Sequence, residues 1–169
     1  MLFAAVAAIS LGLLGAAGIA KILDPAPTGG ALRASRLPST HGVVRWLGVA
    51  EALAAAVGLL FGGPWVSPAA VLYLGFLVFT WLALRNVLPV QSCGCFGRED
   101  TPPSWFHVTF NLIALIALVI VGATNESPIP WDAPVLETSV YLGYAALGAF
   151  LSYLLLTRLP QTLTVSTSR

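Results

Sequence analysis

Two cysteines, the only ones in the chain, are separated by a single residue in the pentapeptide Cys93-Gly94-Cys95-Phe96-Gly97. A disulfide requires its two α-carbons to lie about 4.4–6.8 Å apart, and a turn at Gly94 would bring them into that range. Such a short loop gains little from restricting the unfolded chain, and strained, exposed disulfides are the labile kind. The pattern therefore favours reversible thiol–disulfide chemistry over two buried structural thiols.

Two polar residues that could serve these thiols follow in the next apolar segment. His107 is predicted in its first helical turn and Asn111 one turn deeper, so both side chains share one face of the helix. A histidine beside a dithiol can stabilise a thiolate as the cation or carry its proton. An interfacial position or an interhelical hydrogen bond would explain His107 equally well.

A carboxylate and an ammonium group are predicted near the same side of the membrane. Glu51 lies roughly 12 Å along its predicted helix, where an unpaired carboxylate is costly. Lys21, near the end of the preceding apolar segment, is the best available partner because its long stem can reach inwards. A structural ion pair that braces the first two spans is favoured slightly over direct chemistry.

Five apolar segments position these residues in a chain of 169 residues, of which only 9% are charged. Soluble domains carry about a quarter charged residues, whereas each segment here approaches the roughly 20 residues that cross a bilayer. No alternating pattern indicates a barrel. We therefore predict an all-α polytopic membrane bundle, a four-helix core plus a fifth C-terminal transmembrane helix, with spans at Met1–Ala20, Val43–Phe61, Val66–Leu84, Trp105–Ala123 and Ser139–Leu156.

The predicted organisation has three parts: a membrane redox unit over 1–123, an acidic loop with the additional span over 124–157, and a polar tail over 158–169. Residues 23–42, rich in proline and glycine, form the first connection between spans. The first segment is interpreted as a retained helix and not as a signal peptide, because it lacks a charged n-region. A net charge of +1 argues against a nucleic-acid partner.

All eight lysine and arginine residues lie on, or at the border of, one predicted face of the membrane. That face carries the first connection, the cysteine loop and the C-terminal tail. The positive-inside rule therefore predicts that the cysteine loop is cytoplasmic and that the N-terminus lies outside.

The order of these elements resembles the MauE (methylamine-utilisation) family, which is related to the broader DoxX-like membrane proteins. The resemblance covers about residues 10–120 and is carried by Gly18-Ile19-Ala20-Lys21-Ile22-Leu23-Asp24, Glu51, the cysteine pentapeptide, His107 and Asn111. It implies a four-helix redox-associated unit that works with a thioredoxin-like protein, in MauE's case supporting disulfide formation in an exported enzyme subunit. The fifth span and the predicted cytoplasmic cysteines depart from that pattern.

The leading hypothesis is a membrane thiol–disulfide oxidoreductase component. Cys93 and Cys95 would cycle between dithiol and disulfide by exchange with a thioredoxin-like protein, and His107 would tune or deprotonate a thiol. Lys21, Glu51 and Asn111 would organise a polar pocket beneath the loop. A quinone is one candidate for the electron acceptor, although no feature of the sequence requires it.

Two other functions are compatible with the sequence. Cys93, Cys95, His41 and His107 match the count of a Cys2His2 zinc site, but the spacing of the cysteines is tighter than usual in such sites. Alternatively, the chain is a non-catalytic subunit whose glycine-rich helices pack in a larger membrane complex or a homo-oligomer.

Overall fold

The computed structural model describes residues 1–88 and 103–166, and for residues 158–166 it describes only the helical backbone. Within these ranges the chain is helical and contains no strand. The helices in chain order are α1 (Leu2–Leu23), α2 (Ala26–Ala34), α3 (His41–Phe61), a short 3₁₀ helix (Gly63–Val66), α4 (Ser67–Leu84), α5 (Trp105–Thr124) and α6 (Val135–Ser166).

Five segments of the described chain are helices long and apolar enough to cross a membrane. They are α1, α3, the 3₁₀ helix continued by α4, α5, and α6 as far as Thr157. Because each helix satisfies its own backbone hydrogen bonds, this architecture suits the lipid interior. The prediction of an all-α polytopic bundle with a fifth C-terminal span is confirmed.

The connection between the first two spans contains a helix that the sequence analysis did not predict, α2 at Ala26–Ala34. The side-chain oxygen Oδ1 of Asp24 accepts a hydrogen bond from the N–H of Ala26 at 3.2 Å, which satisfies one group at the start of this helix. Pro27 lies in the first turn, where a missing N–H costs nothing. Pro27 and Thr28 are buried, so α2 packs against the bundle.

The reversal between α3 and α4 depends on Gly62, whose φ of +60° is unfavourable for residues with a side chain. A Cβ atom at Gly62 would also lie 2.8 Å from the Cα atom of Ser127. The next residue, Gly63, donates its N–H to the carbonyl oxygen of Glu126 at 2.8 Å. The α3–α4 turn and the α5–α6 loop therefore meet at one end of the bundle.

Helices α1 and α3 touch through their backbones at Gly18 and Gly48. A Cβ atom at Gly18 would lie 2.5 Å from the carbonyl oxygen of Gly48, and one at Gly48 would lie 2.6 Å from the oxygen of Gly18. Small residues allow this approach, as at other helix contacts in membranes. The adjoining core is formed by buried apolar residues of α1, α3, the 3₁₀ helix, α4 and α5: Ala7, Leu11, Leu14, Ala54, Ala55, Val66, Ala69, Ala70, Tyr73, Ala114, Ala117, Leu118 and Val121.

Helix α6 is attached mainly to α1, through side chains and not through touching backbones. At Gly148 an added Cβ atom would lie 2.6 Å from Cδ1 of Ile9, the end of a flexible side chain. Gly12 faces Ala149, where an added Cβ atom would be at an ordinary contact distance of 3.7 Å. An apolar cavity of about 550 Å³ remains between the two helices. The helix also continues to Ser166, well beyond the predicted end of the span at Leu156, so part of the region predicted as a tail is helical.

Candidate functional site

The centre of the candidate site is an ion pair between Lys21 and Glu51. The Nζ atom of Lys21 lies 2.8 Å from Oε2 of Glu51, and the side chains are only 2% and 0% exposed. Lys21 is in the last turn of α1 and Glu51 in the middle of α3. The backbone contact of these helices brings the two residues together, so the structure contains the ion pair that the sequence predicts.

The carboxylate of Glu51 is not fully satisfied by this pair. Its second oxygen, Oε1, is buried and has no hydrogen-bond partner among the described residues. A buried polar atom without a partner is unusual, and its desolvation costs free energy. Such groups are common where a site serves function as well as stability.

An aromatic cluster of α4 and α5 lies beside Lys21 and contacts its ammonium group through Phe76. The Nζ atom of Lys21 lies 5.7 Å from the ring centroid of Phe76, within reach of a cation–π interaction. Tyr73, one turn away, packs against Phe76 and Phe110, and its hydroxyl donates to the carbonyl oxygen of Ser10 at 2.7 Å. The sequence analysis missed Tyr73 and Phe76. A tyrosine inside a span, away from the interface where tyrosine is usual, was the available signal.

His107 and Asn111 lie on one buried face of α5, as their spacing predicts. His107 is 4% exposed and Asn111 is 8% exposed. Ser104, the residue that precedes α5, has its Oγ atom 2.8 Å from Nδ1 of His107, so one ring nitrogen is held in a hydrogen bond. The sequence analysis did not identify Ser104 as the hydrogen-bond partner of His107, although serine is a common residue at helix starts.

A small cavity with a mostly apolar lining lies between these groups. It has a volume of about 40 Å³, and its walls include Lys21, Tyr73, His107 and Asn111. A cavity needs roughly 10–15 Å³ of such volume and several polar partners to hold a water molecule, so this one has room for ordered water. Lys21, His107 and Asn111 therefore line one cavity, and Glu51 is joined to it through the ion pair with Lys21. Their role in a pocket that serves the cysteines stays a prediction.

The cysteine pentapeptide, residues 93–97, lies outside the described residues. The helices from which its loop departs are in contact, because the rings of Trp81 in α4 and Trp105 in α5 pack edge to face at 5.7 Å. The guanidinium carbon of Arg85 lies 4.7 Å from the centroid of the Trp81 ring. These contacts explain Trp81, which the sequence left without a role, and they hold the loop's attachment points at the end of the bundle that contains His107.

The histidines of the predicted zinc site differ in environment. His41 is exposed at the first position of α3, whereas His107 is buried. Among residues 1–88 and 103–157, no cluster of three or more histidine, cysteine, aspartate or glutamate side chains could hold a metal ion. Since that site would also need Cys93 and Cys95, it stays a prediction.

The helix directions place the positively charged groups of the described chain at one end of the bundle. Lys21, Arg33, Arg36, Arg45 and Arg85 lie in or beside the helix ends that share a face with the start of α5. The opposite end, with the α3–α4 turn and the α5–α6 loop, carries acidic residues and no lysine or arginine. The assignment of the positive end to the cytoplasm stays a prediction.

The fold and the site together define a polytopic α-helical membrane protein with a buried, partly charged cluster at one end of its bundle. The chain belongs to the MauE family, described as methylamine utilisation protein MauE, whose sequence model matches residues 1–124. No curated protein and no solved structure matches the chain. The family match ends where α5 ends, and α6 lies beyond it.

Proposed function

We propose that this membrane protein is a thiol–disulfide redox component whose Cys93 and Cys95 exchange with a thioredoxin-like partner. In one direction, a partner thiolate attacks the Cys93–Cys95 disulfide and forms a mixed disulfide. The partner's second thiol then resolves it, so the partner becomes a disulfide and the two cysteines become a dithiol. The reverse sequence passes two electrons and two protons to the partner. In both directions one disulfide and one dithiol are consumed, and one of each is formed.

The observation that supports this proposal is the polar cluster at the end of the bundle where α4 ends and α5 begins. Lys21, Glu51, His107 and Asn111 are buried in a chain that is otherwise largely apolar. Ionisable groups inside a membrane are expensive, and they typically mark a functional pathway. Their position, at the bundle end from which the cysteine loop departs, is where thiol chemistry would use a proton donor and acceptor.

Each polar residue has a role in the proposal. His107, fixed by Ser104 through one ring nitrogen, would exchange a proton with the thiol that leaves or attacks. Asn111 and the Lys21–Glu51 pair would keep the cavity polar and hydrated beneath it. The proton of a thiol would then have an acceptor within the bundle as well as in bulk water.

The test is trapping of a mixed disulfide by the purified protein with a thioredoxin-like protein. Cys93→Ser and Cys95→Ser should each abolish complete exchange, because a single thiol cannot resolve the intermediate. One of the two variants should accumulate the mixed disulfide, visible on a non-reducing gel. If both variants exchange at the wild-type rate, the proposal is wrong.

A matched control tests whether exchange requires the pair of cysteines or only one exposed thiol on the same face. Arg85→Cys, in a chain that also carries Cys93→Ser and Cys95→Ser, places one thiol at an exposed position on the same face. This variant should label with a maleimide but should not catalyse exchange. Exchange at the wild-type rate by this control would show that any thiol on this face is sufficient.

A further inference from the structure

Three exposed arginine residues follow one another in the segment that joins α1 to α3 and continues into α3. Arg33 is in the last turn of α2, Arg36 follows that helix, and Arg45 lies one turn into α3. Within residues 1–88 and 103–157, no carboxylate lies within ion-pair distance of these three side chains, which we call the arginine patch. Their positive charge is therefore directed outside the described part of the chain.

Helix α2 and the start of α3 form one packed unit that carries this patch. A Cβ atom at Gly29 of α2 would lie 3.3 Å from the carbonyl oxygen of Ser39 and 3.8 Å from a methyl carbon of Val44. Val44 is fully buried and directly precedes the arginine of α3 in the chain. The arginine patch therefore belongs to a packed surface and not to a loose connection between spans.

The position of the patch along the bundle corresponds to the head-group layer of a membrane. Helix α1 ends at Leu23 and α3 begins at His41, so α2 connects two spans at one side. Arg45 lies roughly 6 Å along α3 from His41. The next residue, Trp46, is 74% exposed, and exposed tryptophan near a span end is typical of the head-group level. The patch thus extends from the end of α2 into that layer.

Arg36 has a backbone conformation that costs free energy. Its φ of +58° is in the left-handed region, and glycine is usual at this position after a helix. The N–H of Arg36 donates to the carbonyl oxygen of Arg33 at 3.0 Å, and the N–H of Leu37 donates to that of Leu32 at 2.9 Å. Helix α4 ends in the same pattern, but with Asn86, a residue type that tolerates this region. An exposed arginine in place of glycine is a strained position of the kind found at functional sites.

Charge and depth together restrict the partner of the patch. A guanidinium group binds phosphate or carboxylate through two parallel hydrogen bonds, so the partner is anionic. A protein that docks from water would reach Arg33 and Arg36, whereas Arg45 and Trp46 lie within a span. A phospholipid phosphate reaches all of them. A phosphatidylcholine head group adds a cation that the arginines repel, so a lipid with net negative charge fits better.

We propose that the arginine patch binds the phosphate of an anionic phospholipid, of the phosphatidylglycerol type, beside α2. Leu37 and Trp46 are exposed next to the patch and offer apolar surface to the glycerol and the first carbons of the acyl chains. Each basic residue near an anionic membrane surface strengthens such binding about fivefold. The site is separate from the thiol chemistry and does not depend on it.

The two helix ends with the same hydrogen-bond pattern provide matched variants. Arg36→Gly removes a guanidinium group from the patch and relieves the left-handed conformation, so the protein should unfold at the wild-type temperature or higher. Asn86→Gly makes the same backbone change at the end of α4 and removes no charge. Arg85→Gln removes an exposed arginine at the same end of the bundle, but one whose guanidinium group packs on the ring of Trp81.

The experiment is photocrosslinking of the full chain in phosphatidylcholine nanodiscs that contain a small share of photoactivatable phosphatidylglycerol, followed by peptide mapping. Crosslinks are expected in the segment from α2 to the start of α3, with competition by unlabelled phosphatidylglycerol. They should fall about fivefold in Arg36→Gly and less in Arg36→Lys, which keeps the charge but not the fork. Asn86→Gly and Arg85→Gln should stay at the wild-type level.

Three results would overturn the lipid site. Equal crosslinking of a photoactivatable phosphatidylcholine would show that the patch does not select anionic lipid. An equal loss in Arg85→Gln would assign the preference to the overall charge of this end. Competition by inorganic phosphate in solution, or a slower disulfide exchange with a thioredoxin-like protein in Arg36→Gly while lipid crosslinking is unchanged, would assign the patch to a soluble anion or to a protein partner.

Discussion

Helix α1 uses two faces in opposite ways. Towards α3, Gly18 brings the backbones into contact, and the buried Lys21–Glu51 pair lies beside that contact. Towards α6, Gly12 faces Ala149 at an ordinary distance, Gly148 packs closely on the side chain of Ile9, and both helices line an apolar cavity of about 550 Å³. The backbones therefore touch where charged groups must be kept from lipid, whereas apolar side chains make the contact with α6.

The physical reason is that lipid removes the hydrophobic driving force between helices. Association then depends on close packing and on polar contacts between helices. The α1–α3 contact has both, and it lies within the part of the chain that matches the MauE family. Helix α6 lies beyond that match, and the loop before it contributes a different kind of attachment, in which the hydroxyl of Tyr141 donates to the carbonyl oxygen of Pro128 at 2.8 Å.

The largest loss of stability should come from breaking the ion pair between Lys21 and Glu51. Glu51→Gln leaves the Lys21 ammonium buried without its carboxylate, and loss of one partner from a buried pair costs about 3–5 kcal/mol of unfolding free energy. Glu137→Gln, at an exposed acidic residue in the first turn of α6, should change it little. Unfolding in detergent by increasing denaturant measures both. Equal effects of the two variants would contradict the contrast between the two regions.

A smaller loss of stability should result from Gly18→Ala on the face of α1 that meets α3, and little or none from Gly12→Ala on the face that meets α6. The Cβ atom of Gly18→Ala would lie 2.5 Å from the carbonyl oxygen of Gly48, so the helices must move apart at a cost of about 1–3 kcal/mol or more. Gly12→Ala adds the same atom on the face towards α6, at 3.7 Å from the Cβ atom of Ala149. It should be neutral or slightly stabilising in a thermal unfolding scan. A destabilising Gly12→Ala would show that the α6 contact is as tight as the α3 contact.

The smallest loss of stability should come from removing the hydroxyl group of Tyr73 or of Tyr141. Tyr73→Phe removes a buried hydrogen bond to Ser10 and should lower the free energy of unfolding by about 0.5–1.5 kcal/mol. Tyr141→Phe removes a bond of similar length to Pro128 at a partly exposed position, where water or a lipid head group can replace it, and should cost less. The same unfolding assay applies. A larger loss for Tyr141→Phe would place more of the polar stabilisation at α6 than the structure indicates.

Parts of the fold and site could be predicted because they follow from local composition. The spans are predominantly apolar, and the ends of α3 and α4 agree with the prediction at Phe61 and Leu84. The partnership of Lys21 with Glu51 was predictable because a bilayer leaves a buried carboxylate few alternatives. Helix α2 was missed because its segment is rich in proline and glycine, and Pro27 lies in the first turn, where a helix tolerates proline.

Other residues of the site were not predictable because their role depends on distant neighbours. Tyr73 is bonded to the carbonyl oxygen of Ser10, which lies far away along the chain, and no local pattern indicates that bond. The contact of Phe76 with Lys21 depends on how α4 packs against α1. Ser104 holds His107 because the start of α5 turns its side chain towards the imidazole ring.

The sequence by itself determined that this is a helical membrane protein of the MauE type, with one cysteine pair and a few polar residues in its spans. Apolar length and charge content are sufficient for that, since lipid permits few architectures. Only the tertiary structure decided that Lys21, His107 and Asn111 line one cavity, and that a second cavity lies on α4 beside the same lysine. Those facts depend on how closely the helices approach, which Gly18 and Gly48 set through contacts between residues distant in the chain.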